Sequence, residues 1–286
     1  MTVLEVIQRS TEFLAKKGVE SSRLQAELLL AHALALPRMQ LYLKFERELS
    51  PAELDRVREL VKRRGQREPL QRITGFTSFC GLEIALNPHT LIPRPETELL
   101  AEQGWIFLNA LAGSGSESVT ALDFGTGSGC LAIALAAKCT EAQVWAVDVS
   151  PEALQMAGEN AARHRVSERI HLCQGDGFAA LPAETRFHLI VGNPPYIPTA
   201  EIDQLQPEVQ EHDPRQALDG GADGLDFYHR LAAEAGGWLK AGGKIMLEFG
   251  DGQAEALRNL FQAQNWIVEQ IIEDYTQRPR ILIARK

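Results

Sequence analysis

The 286-residue sequence predicts an α/β protein, in which a small all-α N-terminal domain precedes a mostly parallel seven-stranded sheet with an antiparallel last strand. Three observations carry this. From Val119 onward, short apolar runs bounded by turn residues alternate with helical patterns, as expected for a parallel sheet covered by helices on both faces. The last two runs, WIVEQIIED and RILIARK, adjoin across a short turn and should pair antiparallel. Up to about Gly75, apolar residues fall at helical spacing instead.

Leu4, Ile7, Phe13 and Leu14, then Leu24, Leu28, Leu29 and Ala31, predict two helices that bury those positions. Ser50-Pro51-Ala52-Glu53 predicts a helix start. Ser50 can cap, Pro51 suits the first helical position, and Glu53 can close a capping box. The helix that follows carries Arg56, Arg58, Lys62, Arg63 and Arg64, with Arg67 just beyond. A solvated face is the expectation for such a run, and a docking surface for a partner is the sharper alternative. FTSFCGLEIALNPHT (76–90) predicts a hairpin linking the helical domain (1–75) to a C-terminal domain (91–286). The prolines of PRPETELL lead into a helix, and AGSGSES (112–118) reads as a loop by composition. The strands expected next are VTALDF, VWAVDV, RIHLCQ, HLIVGN and GGKIMLEFG. Helices are expected over CLAIALAAK, from Ser150-Pro151-Glu152 to about Arg163, and through Phe261.

Composition narrows the function. The net charge of −9 argues against a protein that lives by gripping phosphate backbones, so no stable nucleic acid partner is expected. Cys80, Cys130, Cys139 and Cys173 form no C-x-x-C pair, and the seven histidines show no H-E-x-x-H spacing, so no metal site is expected. The N-terminus carries charges where a signal peptide needs an apolar core, and no apolar run approaches a membrane span. A cytoplasmic protein without membrane contact is expected.

Asp123-Phe-Gly125-Thr126-Gly127-Ser128-Gly129 falls between a predicted strand and a predicted helix. Glycine is needed where the backbone turns tightly and nears a ligand. The carboxyl end of a strand is where open α/β sheets place ligands. A dinucleotide fingerprint would want Gly or Ala at Cys130, whereas the spacing here is G-x-G-x-G with an acidic residue two positions upstream. That arrangement belongs to class I methyltransferases, whose cofactor has no pyrophosphate. Asp148 closes the second strand, where a carboxylate can accept both ribose hydroxyls. Asp176, after the third strand, stands where a residue faces the adenine, with a plain Asp-Gly turn as the competing reading.

Asn193-Pro194-Pro195-Tyr196 is the most specific sequence in the chain. An amide or aniline nitrogen is a poor nucleophile because its lone pair is delocalised. Held in line, with its N–H bonds engaged by acceptors, it attacks a sulfonium methyl more readily. The Asn193 side-chain oxygen and the Pro194 carbonyl can be those acceptors. The prolines stiffen the turn, and the Tyr196 ring can pack on the planar group. No strong base is required.

On these residues the chain resembles the release factor glutamine methyltransferases (the HemK/PrmC family) along nearly its whole length. The carrying motifs are REPLQRITG (67–75), LIPRPETE (91–98), DFGTGSG (123–129), VDVS (147–150), NPPY (193–196), ALDGGADGLDFY (217–228) and GGKIMLEFG (242–250). The resemblance implies a class I S-adenosyl-L-methionine-dependent fold. It implies N5-methylation of the glutamine in the Gly-Gly-Gln motif of peptide chain release factors, and a helical N-terminal domain that helps hold that partner. A monomer is expected. By motif position, Gly125 to Gly129, Asp148, Gly177 and Asn193 would line the cofactor, and Asn193 to Tyr196 would hold the glutamine. Phe79 resembles the family's aromatic residue beside the glutamine, and Arg94 and Glu96 would brace the same wall, with a structural salt-bridge turn as their alternative. Gly177 departs from a position often aromatic in the family, and His212-Asp213-Pro214 departs from the more usual Glu before Pro. The ribosomal protein glutamine methyltransferases share the general motifs. N6-adenine methyltransferases use NPPY-type chemistry on a flipped base, but LIPRPETE belongs to the glutamine enzymes.

Overall fold

The computed structural model describes residues 1–114 and 118–286. The chain divides into two compact units, Met1–Phe76 with Gln206–His212, and Thr77–Leu205 with Asp213–Lys286.

The first unit is helical, with α1 (Val3–Lys16), α2 (Ser22–Leu34), α3 (Arg38–Tyr42), α4 (Pro51–Gly65) and α5 (Leu70–Thr74). Val3, Val6, Ile7 and Leu14 form the buried stripe of α1 and meet Leu29 and Leu30 of α2 in one core. Phe13 and Leu24 depart from the expected pattern: they are 38% and 42% exposed, at the edges of their stripes. The capping box forms as expected. Ser50 Oγ accepts from the Glu53 N–H at 3.3 Å and Glu53 Oε2 accepts from the Ser50 N–H at 2.9 Å, with Pro51 opening α4.

The basic run is only partly a solvated face. Arg58 is exposed and pairs with Asp55, but Arg64 is buried. Arg64 donates to Gln25 Oε1 at 2.5 Å and to Glu208 Oε1 at 2.8 Å, while Arg67 donates to both oxygens of Glu208 at 2.7 and 2.6 Å. Burial would raise the Glu208 carboxyl, but the hydrogen bonds from Arg67 and Arg64 prevail and hold it at about 2.

The second unit starts at Thr77, within a hairpin of β1 (Phe76–Phe79) and β2 (Leu82–Ala85). Cys80 and Gly81 both take positive φ, the geometry of a two-residue turn whose twist matches the strands it joins. Next come α6 (Pro95–Gly113), β3 (Val119–Phe124), α7 (Cys130–Lys138), β4 (Ala142–Asp148), α8 (Pro151–Arg163), β5 (Ile170–Gln174) and β6 (Phe187–Gly192). Of the loop expected over 112–118, residues 112 and 113 close α6, and 115–117 lie outside the described residues. The chain then contributes α9 (Pro207–Gln210) to the helical unit. It returns for α10 (Asp226–Glu234), β7 (Leu239–Glu248), α11 (Ala254–Ala263), β8 (Ile267–Glu273) and β9 (Pro279–Arg285). β7 starts three residues before the expected Gly242, and its pairing with β6 shifts register between Phe187 and Leu189.

The sheet order is β5-β4-β3-β6-β7-β9-β8, parallel throughout except for β9, which runs against both neighbours. Ala121 and Leu189 join a core on one face of the sheet, while Leu122 and Ile190 join a core on the other. All six residues of β3 are buried, as befits a central strand covered on both sides. The strand order reverses between β3 and β6, and a crevice opens there beyond their carboxyl ends. No described helix is long and apolar enough to cross a membrane.

Candidate active site

That crevice is a cavity of about 370 Å³. The glycine turn after β3, Asp148 at the end of β4, Asp176 and Gly177 after β5, and Asn193 and Pro195 after β6 all line it.

The glycine turn is tied down by its backbone. The Gly125 and Thr126 N–H groups donate to the Val147 carbonyl at 3.0 and 2.9 Å, and the Gly127 N–H donates to Asp148 Oδ2 at 2.8 Å. Asp148 Oδ1 accepts from the Ser150 N–H at 3.0 Å, so the carboxylate is aimed before any ligand arrives. Gly125 and Gly127 have positive φ and open space where a Cβ would stand. Gly129 does different work. A Cβ there would fall 2.9 Å from Cβ of Ala157, so this glycine lets α7 approach α8 and does not line the cavity.

Asp123, expected at the cofactor, stands behind the glycine turn. It is fully buried and does not line the cavity. Its Oδ2 accepts from Thr126 Oγ1 at 2.6 Å and from the Ala132 N–H at 3.1 Å, so it acts on the loop and on the first turn of α7. Burial pushes its carboxyl up to about 7, against the lowering effect of those two hydrogen bonds.

Asp176 lines the cavity but has a partner that the sequence did not reveal. Arg230 of α10 donates to its carboxylate through Nη1 and to its carbonyl through Nη2, the latter at 2.9 Å. At Gly177 φ is +60°, and a Cβ would lie 2.8 Å from the Phe124 ring. An aromatic side chain at 177 would meet Phe124 and Arg230.

Asn193 leaves β6 with its carboxamide oriented. Nδ2 donates to Thr97 Oγ1 at 3.2 Å, so Oδ1 is the end left to accept a hydrogen bond. Thr97, in the first turn of α6, is buried and lines the cavity. Pro194 is buried and Tyr196 is half-buried, its ring packed against the second core. Burial and the nearby Glu248 push the Tyr196 hydroxyl up to about 12, and its carbonyl accepts from Gln253 Nε2 at 2.9 Å. Pro194 and Tyr196 therefore brace the corner from behind and do not line the cavity.

Phe79, Arg94 and Glu96 also fall outside the lining. Phe79 is 1% exposed and sits in the same core as Ile84 and Leu100, because strand alternation turns it inward while Ser78 faces out. Arg94 Nη2 donates to Asp213 Oδ2 at 2.6 Å, which is the salt-bridge alternative. Pro214, Gln216 and Ala217, just past that anchor, do line the cavity. Thr97, Phe124 and Phe227 are lining residues that sequence reasoning did not single out. Thr97 lay inside a quoted motif, but only its bond to Asn193, 96 residues away, marks it. No cluster that could hold a metal ion occurs among the described residues.

The strand order, the single antiparallel strand and the ligand crevice at the switch point define a class I methyltransferase fold. Two solved structures share that fold. One is a methyltransferase from Pyrococcus furiosus (TM-score 0.51, 22% identity, covering 72% of this chain and 89% of that one). The other is the human methyltransferase 10 domain containing protein (TM-score 0.51, 16% identity, covering 72% and 88%). The PrmC N-terminal domain family matches residues 5–75 and the methyltransferase small domain family matches residues 104–210. The release factor glutamine methyltransferase of Geobacter sulfurreducens is 47% identical over 260 residues, covering 91% of this chain and 88% of the relative. That of Moorella thermoacetica is 40% identical over 285 residues, covering 99% and 98%. The chain belongs to the release factor glutamine methyltransferase family.

Proposed function

We propose that this methyltransferase uses S-adenosyl-L-methionine to methylate N5 of the glutamine in the Gly-Gly-Gln motif of peptide chain release factors. The products are N5-methylglutamine and S-adenosyl-L-homocysteine. The observation that carries the reading is the held carboxamide of Asn193, whose Nδ2 is committed to Thr97 and whose Oδ1 is left as an acceptor on the cavity wall.

The residues present fit the cofactor. Gly125 and Gly127 leave room for close approach to the backbone. Each Asp148 oxygen holds one backbone N–H and keeps a lone pair for a ribose hydroxyl. When bound, S-adenosyl-L-methionine supplies an electrophilic methyl group on a sulfonium. Asn193 Oδ1 accepts an N–H bond of the glutamine carboxamide and holds its nitrogen in line, on a corner that Pro194 and Tyr196 brace from behind. Because this acceptor is fixed in advance, little reorganisation is needed as charge develops on that nitrogen. The methylated nitrogen sheds its proton readily, so the corner needs no base. The helical unit of residues 1–76 and 206–212 serves to recognise the release factor.

The test is mass mapping of a purified release factor after incubation with the protein and S-adenosyl-L-methionine. One methyl group on the Gly-Gly-Gln glutamine is expected. An untouched release factor, with methyl transferred to a ribosomal protein glutamine or to DNA adenine in parallel reactions, would contradict the reading.

A further inference from the structure

We infer that Gln253 is a positioning residue for methyl transfer, because its carboxamide bolts the far end of the Asn193–Tyr196 corner to the start of α11. The inference rests on the proposed function for what that corner grips, and on the following contacts for how it is held.

The sheet holds the near end of the corner. Gly192, the last residue of β6, is in register with Phe124 of β3 and Leu247 of β7, and Asn193 itself is bonded to Thr97. Beyond the two prolines, the Tyr196 carbonyl accepts from Gln253 Nε2 at 2.9 Å. The same nitrogen donates to the Gly224 carbonyl at 3.4 Å, and Gln253 Oε1 accepts from the Gly250 N–H at 2.9 Å. The Gln253 N–H donates back to the Gly250 carbonyl at 3.3 Å, so the turn over 250–253 steadies the side chain that steadies the corner. Gln253 is half-buried and stands outside the cavity lining.

The surroundings leave room for this reach. A Cβ at Gly224 would collide with the Tyr196 carbonyl oxygen and stand 2.7 Å from Gln253 Nε2. A Cβ at Gly250 would stand 2.9 Å from the Tyr196 ring and 3.0 Å from Gln253 Oε1. These glycines belong to the segments 217–228 and 242–250, so three sequence motifs meet at one glutamine that belongs to none of them. The chemistry dictates the residue type. The position calls for one acceptor, toward the Gly250 N–H, and for donors toward two carbonyls, a set that a carboxamide supplies in a single orientation. A carboxylate of the same shape can only accept, and it would set an oxygen against the carbonyls of Tyr196 and Gly224.

The two prolines carry the effect of this bolt to the substrate side. Each fixes its own φ, which leaves few free rotations between the Tyr196 carbonyl and the Asn193 carboxamide. A Tyr196 peptide free to move takes the corner with it, and a displacement of about 1 Å at a reacting group can cost on the order of 100-fold in rate. Because Gln253 lies outside the cavity, the cofactor should bind as before when it is changed.

The test is kcat per cofactor-binding site, KM for the release factor, Kd for S-adenosyl-L-methionine and Tm, measured for the wild type, Gln253→Glu and Gln253→Met. Both variants keep the length of the side chain and lose the donors to Tyr196. In both, kcat per site should fall roughly 10- to 100-fold, with KM and Kd at wild-type values. A merely structural glutamine would instead lower Tm and leave kcat per site unchanged, a result that overturns the inference while the glutamine reading stands. Loss of cofactor affinity alongside kcat overturns it as well. Gln253→Met places no charge at the half-buried position and carries the test alone should Gln253→Glu not fold. A wild-type protein that leaves the Gly-Gly-Gln glutamine unmethylated overturns the proposed function, and the inference with it.

Discussion

At the scale of single residues, the proposed function assigns one set of groups to the cofactor and another to the nitrogen to be methylated. Asp148 belongs to the first set. Its two oxygens fix the Gly127 and Ser150 N–H groups at 2.8 and 3.0 Å, so it shapes the turn, and the proposed function has it accept from a ribose as well. Asp148→Ala should weaken S-adenosyl-L-methionine binding roughly 10- to 100-fold, the loss of one or two hydrogen bonds to a charged group. Isothermal calorimetry would read this directly, and an unchanged Kd would remove Asp148 from the cofactor set. Spacing after a strand dictates where such residues stand, which is why sequence alone could set Asp148, Gly125, Gly127 and Asn193 together, and all four line one cavity. Asp123, expected beside them, is buried outside the cavity lining, with Oδ2 bonded to Thr126 and to the Ala132 N–H, contacts that sequence does not announce. Phe79 likewise lies in a core and outside the cavity lining. Which face of a four-residue strand turns to the core is a property of its packing, not of its composition.

At the scale of elements, local signals were read well and distant pairings were not. The capping box of Ser50 and Glu53 and the two-residue turn at Cys80-Gly81 are set by neighbours in sequence. The pairing of Arg64 and Arg67 with Glu208 joins residues 144 and 141 apart, and nothing in the basic run announces it. Arg64 is buried, so removing its carboxylate partner leaves its charge poorly compensated. Glu208→Ala should destabilise the helical unit by roughly 2–3 kcal/mol, measured by denaturant unfolding near neutral pH. The carboxyl is held at about 2 in the folded chain, below its ordinary 4.5. Its contribution is therefore complete above about 4.5 and is lost as pH falls through about 2. The gap between wild type and variant should narrow on acidification. A gap that is absent at neutral pH would mean that Glu208 merely decorates the surface.

At the scale of the whole molecule, the seven-stranded order and its one reversed strand followed from alternation of strand and helix, a pattern that survives errors of a few residues at any boundary. The sheet then does what its topology allows. Four adjacent strands end on one side, and their last or following residues converge on a crevice that no single motif defines. The proposed function divides that crevice in two: the ends of strands β3 to β5 are assigned to a cofactor, and the turn after β6 to a carboxamide. Asn193→Ala separates the two most directly, with kcat for methyl transfer to a release factor and Kd for S-adenosyl-L-methionine measured on the same preparation. kcat is expected to fall on the order of 100-fold or more, as when one fixed polar contact to the reacting group is deleted, and Kd to hold. An Asn193→Ala enzyme that turns over like the wild type, or that loses its cofactor along with its activity, would contradict it.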